Sequence, residues 1–290
     1  MNRLRKILLT SINRVGQAIP KRLQRRIADS PGALKFFEKL SHNDLIEVTA
    51  PEGGSIFINP LFHSNLVHSG ELSKYEPEIR KAILKFSKPG MVAYDIGANV
   101  GIFSFLFASI VGEDGMVYSF EPEEINYTCF AKSLEKHDQK NIVLDKRAVG
   151  RRKSTESFDR RGGAFSGRLV GNGLYKTTGN ITTVDTVSID YVVKEEGYRV
   201  PDILKIDVEG NEYMVLEGMK NILETCGPIV ICELHTHLGE SAGQVTDLLS
   251  CCGYTISDVK NALTENSTGK TTSKAAVERH IIAVKNSNHT

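Results

Sequence analysis

At 290 residues, 40% hydrophobic and 24% charged, the chain has ordinary globular composition and is long enough for one sizeable core with an extension. A formal net charge of +1 excludes a general nucleic-acid binder, which carries a strongly basic domain. Five cysteines, with neither an even count nor C-x-x-C spacing, argue against a disulfide framework and fit reduced thiols in a cytoplasmic protein.

The first 28 residues hold Arg3, Arg5, Lys6, Arg14, Lys21, Arg22, Arg25 and Arg26, with no acid before Asp29. Leu4, Ile7, Leu8, Ile12 and Val15 recur at helical spacing, which gathers them on one face with the cations beside it. The apolar run falls well short of the roughly 20 residues of a membrane span, and no small-residue cleavage site follows it. Two readings stand. Either residues 1–28 lie on an anionic membrane surface, each cation worth about 1 kcal/mol there, or the helix packs on the rest of the chain. The expected location is cytoplasmic, with peripheral attachment at the inner face of the membrane in the first reading. Next, Leu45 to Val48 and Ser55 to Ile58 flank Pro51-Glu52-Gly53-Gly54 and predict a small hairpin. Residues 1–75 are thus expected to form a helical and hairpin extension ahead of a domain over 76–290.

Pro77 starts a helical stretch to about Phe86, with Ile79, Ile83 and Phe86 on one face. The run VAYDIGANVG, residues 92–101, then ends a strand in Asp95 and enters a loop with Gly97 and Gly101 before the next helix. A strand that turns through glycines into a helix brings backbone N–H groups and a positive helix end to a ligand. A dinucleotide would lay its pyrophosphate here, against Asp95, and the G-x-G-x-x-G order is missing. A cationic nucleotide fits instead. S-adenosylmethionine presents an ammonium for Asp95 and a carboxylate for the loop amides and helix start. The strand Met116 to Phe120 follows and ends in Glu121-Pro122. Glu121 stands 20 residues after Gly101, where an acid at the second strand end accepts both ribose hydroxyls.

Strands and helices go on alternating through 123–137, 141–145, 202–207, 211–224, 228–233 and 241–252, which predicts an α/β fold with a mostly parallel sheet covered on both faces. Residues 253–257 and 280–285 offer two last strands. Residues 151–180 break the pattern with six glycines and the cations Arg160, Arg161, Arg168 and Lys176. They read as a mobile lid or as a plain surface insertion. The strand Ile203 to Ile206 ends in Asp207-Val208-Glu209, and the strand Ile229 to Cys232 ends in Glu233-Leu234-His235-Thr236-His237. Ligands of open α/β sheets bind outside these carboxyl ends, so the three carboxylates and two histidines are expected to face one crevice.

With DIGANVGIFS, FEPEEINY, DILKIDVEGNEYMVLEGM and PIVICELH in that order, roughly residues 70–257 resemble the FkbM family of S-adenosylmethionine-dependent methyltransferases. The resemblance implies a Rossmann-like class I methyltransferase fold with a mostly parallel seven-stranded sheet flanked by helices. Its final strand runs antiparallel, with Ile281 to Val284 as the candidate. It further implies methyl transfer from S-adenosylmethionine, usually to a hydroxyl of a sugar, polyketide or related metabolite. The expected acceptor is accordingly a small molecule or a saccharide, such as a glycan or lipid-linked sugar. Expected cofactor contacts are Asp95, Gly97, Asn99, Gly101 and Glu121, with Asp145 where related enzymes contact adenine and Asn126 as a further candidate.

Methyl transfer needs in-line approach of a nucleophilic oxygen, and an alcohol needs a base within hydrogen-bond reach. Glu209, Glu233, His235 and His237 each qualify. His235 is favoured because its unperturbed pKa lies nearest neutrality, with Asp207 and Glu209 as positioning groups. Asp207, Glu233 and His235 would also make a legitimate ligand set for a divalent ion. The resemblance does not demand one, and none is expected.

Overall fold

The computed structural model describes residues 45–49, 55–60, 62–63, 66, 72, 75–161, 166–170, 180–235, 242–264 and 280–286. The basic segment 1–28, Lys176 and His237 lie outside them. In chain order the elements are β1 (Ile46–Thr49), β2 (Ser55–Ile58), α1 (Pro77–Phe86), β3 (Val92–Ile96), α2 (Ile102–Val111), β4 (Met116–Phe120), α3 (Glu124–His137), β5 (Ile142–Asp145) and β6 (Ala148–Val149). There follow β7 (Ser154–Arg161), β8 (Ser166–Leu169), β9 (Ile181–Val187), α4 (Ile189–Glu195), β10 (Ile203–Ile206), α5 (Glu212–Glu217), α6 (Lys220–Thr225), β11 (Ile229–Glu233), α7 (Ala242–Cys251), β12 (Tyr254–Asp258), α8 (Val259–Leu263) and β13 (His280–Lys285).

Seven strands form the central sheet in the order β12-β13-β11-β10-β3-β4-β5. All pairs are parallel except those of β13, which runs antiparallel to both β11 and β12. This is the class I S-adenosylmethionine methyltransferase fold. The chain leaves β3 toward β4 and β5 and later returns to β10 on its other side, so the crevice opens where the strand order reverses. Strands β3 and β10, buried along their whole length, read as nearly unbroken apolar runs because helices cover both faces. Alternate side chains feed two cores. Tyr94, Ile96, Leu204 and Ile206 meet Val192, Leu216 and Leu249 on one face. Ala93, Val117, Ile203 and Ile231 meet Ile83, Leu106 and Phe107 on the other.

The hairpin forms as expected, with Ile46 opposite Ile58. It is tied to the sheet domain, because Ile56 and Ile58 share a core with Val100, Ile102, Ile125 and Cys129. Two segments depart from the sequence reading. Within 151–180, strands β7 and β8 stand where a loop was expected and join β6 and β9 in a second sheet of order β6-β9-β7-β8. Those strands are mostly polar, and among the described residues Ala148, Phe158 and Leu169, with Val184 against them, make a small core. The helix expected over 211–224 is two, α5 and α6, broken at Gly218-Met219. A Cβ on Gly218 would lie 2.1 Å from the Gly150 carbonyl oxygen, so the break lets the chain pass close to β6. Among the described residues no helix is long and apolar enough to cross a membrane.

Candidate active site

The carboxyl ends of β3, β4, β10 and β11 open into one cavity, whose walls include Glu76, Asn99, Glu121, Asp207, Glu209 and Glu233. The loop after β3 is shaped by left-handed backbone at Gly97 (φ 79°), Asn99 (φ 52°) and Gly101 (φ 90°). A Cβ on Gly97 would come within 1.9 Å of the Asp207 carbonyl oxygen, and one on Gly101 within 2.5 Å of the Phe130 ring. The two glycines therefore let the ends of β3 and β10 touch and let α2 seat on α3.

The loop amides are committed inside the protein. Gly97 and Ala98 donate to the Phe120 carbonyl at 3.1 and 3.0 Å, and Gly101 to Ala98 at 2.9 Å. Asn99 N–H donates to Glu121 Oε2 at 2.7 Å, and Val100 N–H to Asn99 Oδ1 at 2.8 Å. Of the loop amides and helix start expected to receive the cofactor carboxylate, the loop amides are thus engaged in shaping the loop and holding Glu121. The opposite oxygen of Glu121 accepts from Glu123 N–H at 2.8 Å and from the Asn126 amide at 3.3 Å. Burial pushes the Glu121 carboxyl up to about 8, against the pull of these donors. This carboxylate, buried yet on the cavity wall, suits a ribose.

Asp95 lies beneath the loop and does not line the cavity. Its register partners are Lys205 on β10 and Ser119 on β4. Ser104 Oγ donates to it at 2.6 Å, Ser119 in turn donates to Ser104 at 2.9 Å, and Lys205 Nζ stands 3.7 Å away. Burial raises the Asp95 carboxyl while Lys205 and Ser104 oppose the shift. Lys205 also contacts Asp207 at 3.2 Å, and the ammonium, although burial works against its charge, is held above its ordinary value by Asp207 and Asp95. Asp145 also lies off the cavity wall, gripped by Arg147 Nε at 2.9 Å and by the Tyr198 hydroxyl at 3.0 Å.

The structure does bring Asp207, Glu209, Glu233 and His235 together. His235 Nε2 lies 3.3 Å from Glu233, 3.6 Å from Glu209 and 3.8 Å from Asp207, while Nδ1 meets Glu212 at 2.7 Å. Burial disfavours charge on the ring, but hydrogen bonds to Glu212 and Glu233 and the charges of Glu212 and Glu209 push its pKa up to about 11. Glu209 is pushed up to about 7 by burial, with His235 opposing and Asp207 and Glu233 adding to the rise. Its backbone is left-handed (φ 55°), a strained state for a glutamate that costs of order 1–3 kcal/mol. Glu76 shares both traits, with φ 41° and a carboxyl raised to about 7 by burial first and then by Asp207 and Glu233. Among the described residues two groups are close enough together to hold a metal ion, Asp207 with Glu233 and His235, and Glu76 with Glu233 and His280.

Sequence reasoning missed Glu76, Lys205 and Glu212. Lys205 had a signal, since a charge inside the buried strand ILKI demands a partner. Glu212 and Glu76 offered none beyond their places beside Gly210 and Pro77. Of the cations singled out in the insertion, Arg168 lies buried on the cavity wall from β8, whereas Arg160 pairs with Glu123.

A sequence model of the methyltransferase FkbM domain matches residues 95–256, from Asp95 into β12. The hexuronic acid methyltransferase AglP of Haloferax volcanii is 29% identical over 178 residues, covering 60% of this chain and 68% of that protein. The 31-O-demethyl-FK506 methyltransferase FkbM of Streptomyces tacrolimicus is 29% identical over 198 residues, covering 58% of this chain and 74% of that protein. Among solved structures, a methyltransferase FkbM from Methylobacillus flagellatus KT is 14% identical with a TM-score of 0.44, over 70% of this chain and 50% of that one.

Proposed function

Because the chain belongs to the methyltransferase FkbM family, with the domain covering residues 95–256, it is an S-adenosylmethionine-dependent methyltransferase, and we propose that it methylates a hydroxyl oxygen of a saccharide. The residues present fit the cofactor. Glu121 supplies an acceptor for ribose hydroxyls, and a wall rich in carboxylates suits a sulfonium cation. The bound cofactor supplies the electrophilic methyl group.

The observation that carries the catalytic reading is the placement of Glu209 on the cavity wall, its carboxylate 3.6 Å from a charged His235. An imidazolium held by Glu212 has no lone pair with which to take a proton, so the base assigned to His235 from its ordinary pKa passes to Glu209. Glu209, pushed up to about 7, accepts the hydroxyl proton as the oxygen attacks, and the positive His235 stabilises the anionic side chains around it. Asp207 and Glu233 orient the acceptor. A saccharide acceptor is supported by the hexuronic acid relative and by Arg168, a buried cation on the same wall.

Incubating the protein with methyl-labelled S-adenosylmethionine and a panel of neutral and uronic saccharides is expected to place label on a saccharide as an alkali-stable ether. Label released as methanol by mild alkali would reveal an ester and overturn the hydroxyl assignment. Label on no saccharide, with the cofactor bound, would overturn the acceptor class.

The basic stripe of residues 1–28 supports a place at the inner, cytoplasmic face of an anionic membrane. Flotation with vesicles containing phosphatidylglycerol is expected to carry the full chain and not a chain lacking residues 1–28. Equal flotation of both would remove the membrane role.

A further inference from the structure

We infer that His63, a residue of the segment ahead of the sheet domain, positions the cofactor ribose by acting through Asn126 on Glu121. The inference rests on reading Glu121 as the ribose acceptor.

All three side chains are buried, with His63 at 0% exposure and Asn126 at 2%. The Asn59 backbone N–H reaches His63 Nδ1 at 3.0 Å, and His63 Nε2 lies 2.9 Å from Asn126 Oδ1. The Asn126 amide then donates to Glu121 Oε1 at 3.3 Å. Burial pushes the imidazole down to about 4, so at neutral pH the ring has one donor and one acceptor nitrogen. A backbone N–H always donates, which makes Nδ1 the acceptor. The nearby Asn59 carbonyl, 3.2 Å from Nδ1, already takes the His63 N–H at 2.8 Å. Nε2 therefore carries the proton and donates to Asn126.

Only the amide oxygen of Asn126 can face that donor, so its amino group must face Glu121. Without His63 the amide loses the donor that fixes its oxygen, and turning it over would set a carbonyl oxygen against the carboxylate. Glu121 Oε1 receives two donors, from Glu123 and Asn126, and Oε2 receives the Asn99 N–H. That arrangement fixes the carboxylate plane and leaves Oε2 with a lone pair for a ribose hydroxyl. The Asn126 amide is also among the groups that pull the Glu121 pKa down against burial. Losing it favours the protonated carboxyl, a poorer acceptor. The relay thus joins residues 63 positions apart and makes the segment next to the hairpin a working part of the cofactor site.

Calorimetry of S-adenosylhomocysteine and its 2′-deoxy analogue tests the relay on the full chain. At pH 9, where Glu121 with its pKa of about 8 is ionised, the unaltered protein is expected to prefer the ribose form by about tenfold or more, the value of one hydrogen bond to a charged acceptor. His63→Ala is expected to lose most of this preference through weaker binding of the ribose form, with the deoxy analogue bound as before. His63→Gln, whose amide can still donate to Asn126, is expected to restore it. The isosteric Asn126→Asp keeps the bond from His63 and sets an oxygen against Glu121. It should lose the preference as well, and it carries the test where His63→Ala does not fold. Full preference in His63→Ala or in Asn126→Asp would overturn the relay while sparing Glu121. No preference in the unaltered protein would overturn the ribose reading itself, and the relay with it.

Discussion

Glu209 and His235 show how the same burial drives two neighbouring groups apart. The carboxylates hold a proton on the imidazole, and that cation only partly offsets the cost of burying the Glu209 charge. Glu209 must be ionised to act as a base, so kcat/KM is expected to rise as pH passes upward through about 7 and to fall about tenfold per unit below it. Glu209→Gln is expected to lower kcat by roughly 10²–10⁴ with cofactor affinity kept, as measured by initial rates and calorimetry. Because Glu76 is also raised to about 7 on the same wall, the limb is assigned by comparing variants. It should flatten in Glu209→Gln and persist in Glu76→Gln. A limb that survives in Glu209→Gln would refute the assignment of the base.

At the level of elements, the junction of β3 and β10 depends on a missing side chain. Gly97→Ala would set a Cβ 1.9 Å from a backbone carbonyl at a φ of 79°, and backbone cannot swing aside as a side-chain tip can. The expected cost is about 1–3 kcal/mol of stability, with cofactor affinity reduced because the strand ends that form the cavity must separate. Thermal unfolding and calorimetry check both. Unchanged values would mean the loop tolerates the shift. These strands were legible in the sequence because β3, β4, β10 and β11 are apolar runs that stop at polar residues, and Asp207, Glu209, Glu233 and His235 do converge where those runs stop. What was not legible depends on neighbours distant in the chain. The loop amides look available until the Phe120 carbonyl and Glu121 on β4 are seen to take them. Asp95 looks like a ligand group until Lys205 from β10 arrives beside it. Strands β7 and β9 stayed hidden because STESFDRR and ITTVDTV lack the apolar alternation that reveals a half-buried strand.

Across the whole molecule, the cavity gathers charge that folding alone would disperse. Glu76, Glu121 and Glu209 have pKa values raised from the usual 4.5, and His235 is raised from 6.5 to about 11. Each binds more protons folded than unfolded between its two values, so its contribution is full below the unfolded pKa and is lost as pH rises through the folded one. His63, lowered to about 4, acts in the opposite sense, but only between about 4 and 6.5. Above 6.5 the contributions of these groups share one sign, and the protein without cofactor is expected to lose stability steadily from pH 6.5 to 8.5. Denaturant titrations across that range measure it, and a stability that rises with pH would contradict the protonation states assigned to the cavity.

The acidic wall also bears on turnover. Asp207 and Glu233, joined by Glu76 and Glu209 as they ionise above about 7, give the cavity wall its negative charge against Lys205, Arg168 and the imidazolium of His235. Transfer turns a sulfonium cation into a neutral thioether, so the cavity's attraction for its occupant drops at the moment the reaction is done. The fresh donor is held by its charge and the used one is not, which builds an electrostatic bias toward exchange of product for donor into the same carboxylates proposed to carry out the chemistry.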